Sequence, residues 1–184
     1  IGITGDVGEV LGRLLPQVAP RQNPAWLARV AELQAAHPFR MPDIEDPLSH
    51  FGLIRTVAAC LDKDAIVTTD VGQHQMWVAQ AYPFSRPRQW LTSGGLGTMG
   101  FGVPTAIGAS LAEPERTVVC FSGDGSILMN IQELVTAAEE GANIKIILMN
   151  NSSLGLVHQQ QTLFYGERIY ASRFQAMPDF IKVA

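Results

Sequence analysis

Residues 123–151 read GDGSILMNIQELVTAAEEGANIKIILMNN, and this stretch decides the fold. The β-branched apolar run 117–121 just before it predicts a buried strand, and residues 144–149 predict a second one. Between them, apolar residues recur at helical spacing from about Ser126 to Gly141, namely Ile127, Ile131, Leu134, Val135 and Ala138. Strand, helix and strand in this order predict a βαβ unit with parallel strands and a right-handed crossover.

A polar side chain follows each of these two strands. Asp124 lies inside a Gly-Asp-Gly turn after the first strand, and Asn151 follows the second, 27 residues later. Both strands end on the same edge of the sheet, so both side chains can reach one crevice. Their oxygens suit Mg²⁺, and the N–H groups that begin the helix favour a phosphate. The pattern therefore predicts a metal ion bridging a diphosphate; two turns without a ligand are the alternative.

The rest of the chain alternates between the same two kinds of element. Strands are predicted near 65–69, 90–92, 117–121 and 144–149, with helices between them, and earlier a strand at 1–4 and helices over 7–15, 25–37 and 48–61. We therefore predict an α/β fold, a doubly wound parallel sheet with helices on both faces in a Rossmann-like three-layer sandwich. The glycine-rich turns 70–74 and 93–100 also follow strands and should converge on the same pocket; for 93–100 a mobile loop is the alternative.

The composition of the chain argues against some classes of function. The 184 residues suit one domain and a fragment of another, with 47% hydrophobic residues, 16% charged residues and a net charge of −4. This charge argues against nucleic acid as a partner, and no apolar run reaches the roughly 20 residues needed to span a membrane. We expect a cytoplasmic protein in which Cys60 and Cys120, both within apolar patterns, are reduced core residues.

Longer motifs resemble a known family. GDGS followed by a terminal NN resembles the thiamine diphosphate motif of the decarboxylase and carboligase superfamily. DVGQHQMW (70–77), WLTSGGLGTMGFGVPTAIGA (90–109) and GLVHQQQTLFY (155–165) are similar to the large catalytic subunit of acetolactate synthase. The similarity covers about residues 46–165 and favours this family over pyruvate oxidase and glyoxylate carboligase, which share the metal motif.

The resemblance implies a division of the chain and an activity. Residues 1–19 would be a remnant of a central FAD-binding domain, 20–47 a linker with one helix, and 48–184 the thiamine diphosphate-binding domain, truncated at its C-terminus. The enzyme would decarboxylate pyruvate and join the product to a second 2-keto acid, giving 2-acetolactate for branched-chain amino acid biosynthesis. Its cofactors would be thiamine diphosphate, Mg²⁺ and, in the full-length enzyme, FAD. Its partners would be pyruvate, 2-ketobutyrate, further catalytic subunits in a homodimer or tetramer, and a small regulatory subunit.

The same resemblance assigns site residues. Asp124, Asn151 and the main-chain carbonyl of Ser153 would bind the metal. The Gly97 carbonyl would accept from the aminopyrimidine, and Met99 would separate the two cofactor rings, a task that suits an adaptable thioether. The remaining cofactor-binding residues would be Val71, Gly72, Gln73, His74, Gly125, Ser126, Gly155, Leu156 and Val157. Without the surrounding motifs, His74 and Met99 would be typical packing residues.

Two departures from the family pattern matter. The catalytic glutamate of the family lies in an amino-terminal domain outside this chain, so no glutamate here is assigned that role and we expect the fragment alone to be inactive. Gln160 stands where many members have a tryptophan at the substrate channel. Glutamine there resembles the enterobacterial isozyme I and predicts little preference for 2-ketobutyrate; a solvated helix face is the alternative.

Other functions remain open at this point. One is a different thiamine diphosphate enzyme of the pyruvate oxidase or decarboxylase type. Another is a non-catalytic nucleotide- or flavin-binding α/β module, because flavodoxin-like sheets also bind phosphates at strand ends. A third is an intact domain that holds no cofactor by itself, because the pocket is completed across a dimer.

Overall fold

A computed structural model describes residues 2–183, and the chain divides into two compact units, Ile1–Arg40 and Met41–Ala184. The first unit contains helix α1 (Val7–Leu14), a 3₁₀ helix (Leu15–Gln17) and helix α2 (Pro24–Ala36). The strand predicted at 1–4 is wrong for its described part, because residues 2–4 are irregular and residue 1 lies outside the described range. An isolated strand without a partner is not stable in water, and the described part of this unit offers none.

The second unit is built around a four-stranded sheet. Its elements are α3 (His50–Ala59), β1 (Ile66–Thr69), α4 (Gln73–Ala81), β2 (Trp90–Thr92), α5 (Gly102–Ala112), β3 (Val118–Gly123), α6 (Asp124–Ile127), α7 (Glu133–Glu139), β4 (Ile144–Met149), α8 (Gly155–Phe164) and α9 (Phe180–Val183). All strand pairs are parallel, in the order β2-β1-β3-β4. The four predicted strands and their parallel arrangement are confirmed.

Alternate residues of the central strand β3 face opposite sides of the sheet. Val118 and Cys120 pack in a core with residues of α5 and α7, whereas Val119 and Phe121 pack in a second core with residues of α3 and α4. Every β3 residue is buried, as expected for a strand covered on both faces. The predicted sandwich with helices on both faces is therefore confirmed.

The strand order locates the crevice of the sheet. From β1 the chain proceeds to the edge strand β2 on one side, while β3 and β4 lie on the other side. The switch point between β1 and β3 leaves a gap above their carboxyl ends, where ligands bind in open α/β sheets. Asp70 follows β1 at this gap, and Asp124 follows β3.

The single helix predicted from Ser126 to Gly141 is wrong. The structure has the short helices α6 and α7, separated by residues 128–132, where N–H groups such as that of Asn130 bond three residues back. Asn130 also donates from Nδ2 to the Gly100 carbonyl at 2.7 Å. This bond connects the segment between the two helices to the glycine-rich loop 93–100. Val135, predicted on the buried face, is 62% exposed.

Two expectations from composition have different outcomes. Cys60 and Cys120 are both free, as predicted, and Cys120 is a core residue with a thiol pKa raised by burial to about 12. The predicted core position of Cys60 is wrong, because this residue follows the last residue of α3 and is exposed.

Across residues 2–183, no helix is both long enough and apolar enough to cross a membrane.

Candidate functional site

A crevice of about 650 Å³, including space open to solvent, lies above the carboxyl ends of β1, β3 and β4. Fourteen residues predicted from the sequence line it: Val71, Gly72, Gln73, His74, Gly97, Met99, Asp124, Gly125, Ser126, Asn151, Ser153, Gly155, Leu156 and Val157. The structure does not bring Gln160 into this lining, since it is an exposed residue of α8.

The two predicted metal-ligand side chains converge on one main-chain donor. The Ser153 N–H donates to Asp124 Oδ2 at 3.2 Å and to Asn151 Oδ1 at 3.1 Å. The Ser153 hydroxyl also donates to Asn151 Oδ1, at 2.9 Å. A carboxylate and an amide oxygen that face the same positive hydrogen are placed as a pair of oxygen ligands around a cation would be.

A second carboxylate, Asp70, fixes the edges of the crevice. It is fully buried, and its Oδ1 accepts the Gly102 N–H at 3.0 Å while its Oδ2 accepts the Ser122 hydroxyl at 2.6 Å. Gly102 begins α5 and Ser122 belongs to β3. One side chain therefore joins the end of β1 to the helix after the glycine-rich loop and to the strand that carries Asp124.

His74 lies between two glycines at the base of the crevice. A Cβ atom on Gly72 or on Gly123 would come within 3.0 Å of the His74 ring, so glycine is required at both positions. The ring is buried, and its Nε2 has no hydrogen-bond partner among the described residues. Burial lowers the pKa of His74 below 6.5, although the charges of Asp70 and Asp124 act in the opposite direction. A buried nitrogen without a partner beside a crevice is available to a ligand.

The turn after β3 brings its backbone close to the opposite wall. Gly125 donates its N–H to Asp124 Oδ1 at 2.8 Å, and Ser126 donates its hydroxyl to the Val71 carbonyl at 3.0 Å. A Cβ on Gly125 would lie 2.6 Å from Leu154 Cδ2. The Ser126 hydroxyl keeps its acceptor lone pairs, and the glycine leaves the wall free of side-chain bulk.

The glycine-rich loop forms the third wall. Ser93 Oγ accepts the Thr98 N–H at 2.9 Å, and Asn130 holds the Gly100 carbonyl. Gly97 adopts a left-handed conformation, with φ of 66°, which other residues rarely occupy. These contacts give the loop a defined conformation in which Gly97 and Met99 reach the crevice.

Some lining residues were not predicted from the sequence. Trp77, Gly123, Met149 and Leu154 also line the crevice, and the anchoring role of Asp70 was missed. Trp77 could have been found, because it lies three residues after His74 and shares its helix face. Asp70 could also have been found, as a carboxylate directly after a buried strand. Met149 and Leu154 carry no such signal.

The chemistry of the lining fits the predicted cofactor and metal. Within the described residues, no three His, Cys, Asp or Glu side chains cluster as metal ligands. One carboxylate, one amide and a carbonyl are instead hard oxygen donors of the kind that Mg²⁺ accepts beside phosphate oxygens. The free Nε2 of His74 and the Ser126 hydroxyl are polar groups for a diphosphate, while Trp77, Met99 and Val157 supply apolar surface for rings.

The chain belongs to a known family of cofactor-binding domains. Residues 70–184 match the family described as thiamine pyrophosphate enzyme, C-terminal TPP binding domain. This match covers more than half of the chain and supports thiamine diphosphate, the cofactor predicted from the sequence.

Individual relatives sharpen the comparison. The chain is 59% identical over all of its 184 residues to the acetolactate synthase isozyme 1 large subunit of Escherichia coli (strain K12), 33% of which it covers. It is 46% identical, over its whole length, to the acetolactate synthase large subunit of Parasynechococcus marenigrum (strain WH8102), covering 30% of that protein. With the Lactococcus lactis large subunit the identity is 44% over 98% of the chain and 32% of the relative. The resemblance to this group is confirmed, and the chain spans about a third of the length of these relatives.

Proposed function

We propose that this chain forms the diphosphate- and magnesium-binding part of an acetolactate synthase large subunit. The observation that carries the proposal is the convergence of Asp124 Oδ2 and Asn151 Oδ1 on the single N–H of Ser153, in a crevice at the switch point of the sheet. Family membership and the names of the relatives support the same conclusion.

Each part of the crevice has a proposed task. Asp124, Asn151 and the Ser153 carbonyl hold Mg²⁺. Gln73, His74 and Ser126, with Val71, Gly72 and Gly125, surround the diphosphate. Gly97, Met99, Gly155, Leu156 and Val157 receive the pyrimidine end. When bound, thiamine diphosphate supplies an electron sink for decarboxylation of a 2-keto acid, and the chain contributes binding, orientation and exclusion of water.

The activity of the whole protein is part of the proposal, and the names of the relatives support it. The substrates would be pyruvate and, as a second acceptor, 2-ketobutyrate, and the product 2-acetolactate. FAD, further copies of the catalytic subunit and a small regulatory subunit would complete a cytoplasmic enzyme. We expect the 184-residue chain alone to be inactive, because the proposed catalytic glutamate belongs to a domain that it does not include. Gln160 as a determinant of acceptor preference stays a prediction.

Calorimetric titration of thiamine diphosphate, with and without Mg²⁺, tests the proposal. We expect Mg²⁺-dependent binding that Asp124→Ala weakens by at least about a hundredfold, equivalent to about 2.7 kcal/mol. Asp62→Ala is the matched control, because Asp62 is an exposed aspartate outside the crevice. Its binding should equal that of the unchanged protein.

The titration uses the full-length polypeptide that carries this chain, so that a pocket completed by another subunit is present. Binding that does not depend on Mg²⁺ or on Asp124 would contradict the metal site and favour a nucleotide- or flavin-binding module. Product analysis with pyruvate then separates the enzyme classes. Acetolactate supports the proposal, whereas acetaldehyde or acetyl phosphate would assign the chain to a decarboxylase or an oxidase.

A further inference from the structure

Three consecutive glutamines of α8 have three different environments. Gln159 Oε1 accepts a hydrogen bond from Gln73 Nε2 at 2.9 Å. The Gln161 side chain bonds to the segment 170–172, accepting from the Ser172 hydroxyl at 2.6 Å and donating to the Tyr170 carbonyl at 2.8 Å. The Gln160 side chain, between them, is exposed and has no hydrogen-bond partner within residues 2–183. Gln159 and Gln161 therefore make side-chain contacts, and Gln160 makes none within the described residues.

The Gln159 contact continues to the proposed metal ligand. The Gln73 amide donates from Nε2 to Gln159. Its Oε1 accepts a hydrogen bond from Asn151 Nδ2 at 3.4 Å. The other atom of the Asn151 amide, Oδ1, lies on the side away from Gln73. There it accepts from the Ser153 N–H, which also donates to Asp124 Oδ2. Asn151 thus donates to Gln73, and Gln73 donates to Gln159. In this arrangement the NH₂ group of Asn151 is used within the chain of amides, and its oxygen faces the proposed metal site.

Close packing holds the middle amide in place. A Cβ on Gly155, the first residue of α8, would overlap Gln73 Oε1 and would lie 2.7 Å from Asn151 Nδ2. The Gln73 amide therefore lies against the Gly155 backbone with little freedom to move away. Its remaining freedom is a rotation that exchanges oxygen and nitrogen, and the acceptor on Gln159 opposes this exchange because two amide oxygens would then face each other.

The backbone of the loop 150–154, which carries Asn151 and Ser153, is held independently of these amides. Leu154 donates its N–H to the Ser172 carbonyl at 2.8 Å, and Phe174 donates to the Ser152 carbonyl at 2.9 Å. Ser172 is fully buried and is the residue that Gln161 holds. Loss of the Gln159 contact should therefore leave the fold of the loop intact and weaken the amide side of the arrangement around Asn151, whose Oδ1 also accepts from the Ser153 N–H and hydroxyl.

We propose that Gln159 is a positioning residue, which acts through Gln73 to present the oxygen of Asn151 to the metal. The inference rests on the proposed function, since it takes Asn151 as a ligand of Mg²⁺. Gln159 itself lies outside the lining of the crevice. Its effect is on the affinity for Mg²⁺, through the fraction of molecules in which the Asn151 amide has the binding orientation.

The test is a Mg²⁺ titration of the full-length polypeptide at saturating thiamine diphosphate, followed by calorimetry. Gln159→Met keeps the length of the side chain and removes the amide acceptor, whereas Gln159→Glu keeps an acceptor oxygen. We expect Gln159→Met to raise the half-saturating Mg²⁺ concentration about tenfold, with the unfolding temperature of the cofactor-free protein unchanged. Gln159→Glu should stay within about twofold of the unchanged protein or bind more tightly, and Gln80→Met, a change at an exposed glutamine of α4 outside the crevice, should bind Mg²⁺ as the unchanged protein does.

The outcomes separate this inference from the proposed function. Titration of the unchanged protein and of Asp124→Ala reports on the metal site itself. If the unchanged protein takes up Mg²⁺, Asp124→Ala does not, and Gln159→Met behaves like Gln80→Met, the positioning role is refuted and the metal site stands. A loss of affinity in Gln159→Glu equal to that in Gln159→Met would also refute it, because the acceptor would then have no part in the effect.

Discussion

Asp70 and Asp124 occupy equivalent places in the fold and differ in how they are partnered. Each follows a strand of the central sheet, and each is buried. The oxygens of Asp70 accept from α5 and β3, two elements distant in the chain. Those of Asp124 accept from the adjacent Gly125 N–H and from the Ser153 N–H of the loop across the crevice. A carboxylate at a strand end is a structural anchor when the rest of the fold supplies its donors, and is available to a cation when its donors are neighbouring N–H groups at a crevice.

The largest expected effect is the difference in stability between alanine substitutions at these two positions. Asp70→Ala leaves the buried Gly102 N–H and Ser122 hydroxyl without their acceptor, at about 1–3 kcal/mol each, so we expect a loss of about 2–6 kcal/mol in the free energy of unfolding. Asp124→Ala should cost about half as much, about 1–3 kcal/mol, because only the buried Gly125 N–H loses its acceptor while Ser153 keeps its bond to Asn151. Urea denaturation measures both, and equal losses would erase the distinction.

The anchor at Asp70 can also be tested from the helix that it holds. A Cβ on Gly102 would lie 2.9 Å from the Asp70 backbone nitrogen and 3.0 Å from both Asp70 Oδ2 and Cys120 Sγ. Backbone cannot yield easily, so we expect Gly102→Ala to cost about 1–3 kcal/mol of unfolding free energy. Gly108 is in the same helix, and a Cβ there meets no described atom within 4 Å apart from its chain neighbours and the backbone of its own helix.

Gly108→Ala is therefore the matched control for Gly102→Ala. It should raise the free energy of unfolding by about 0.5–1 kcal/mol, because alanine favours the helical state over glycine. Denaturation curves of the two variants should move in opposite directions from the unchanged protein. Two shifts of the same sign would mean that the contacts around Asp70 are looser than the structure shows.

The comparison of Asp70 with Asp124 also shows how far the sequence could be interpreted. Both aspartates follow runs that are recognisable as strands, and all four strands of the sheet were predicted from the sequence. Asp124 received a role because Asn151 supplied a second signal at the paired strand end. Asp70 has its partners in Gly102 and Ser122, and a main-chain N–H and a serine carry no pattern that would connect them to it.

Two of the errors came from extending local patterns. The continuous helix predicted over 126–141 followed from local spacing, whereas in the structure it is interrupted where Asn130 bonds to Gly100, a residue 30 positions away in the chain. Cys60 fitted the apolar pattern of α3 and proved exposed where the helix ends. Periodicity predicts which elements form, whereas contacts between distant segments decide where elements stop and which side chains they bury.

The smallest expected effect concerns His74, which interacts electrostatically with both aspartates. Burial lowers the pKa of His74 below its ordinary value of 6.5, against the opposing charges of Asp70 and Asp124. Between the folded pKa and 6.5 the unfolded chain therefore binds more protons than the folded one, so stability rises with pH in that window. The contribution is complete above 6.5 and is lost as the pH falls from 6.5 through the folded pKa.

Thermal unfolding of the cofactor-free protein between pH 7.5 and pH 5 measures this dependence. We expect His74→Gln to have a smaller decrease in unfolding temperature on acidification than the unchanged protein, while exposed His37, changed to Gln, should leave the decrease as it is. Some decrease persists in His74→Gln, because burial also lowers the pKa of His50. If the two aspartates outweighed burial, the pKa of His74 would be raised and the protein would lose stability as the pH rises above 6.5. That result would mean that Asp70, although its oxygens are hydrogen-bonded within the fold, still acts electrostatically on the crevice. Asp70 could then no longer be described as a structural anchor alone, in contrast to Asp124 as the proposed metal ligand.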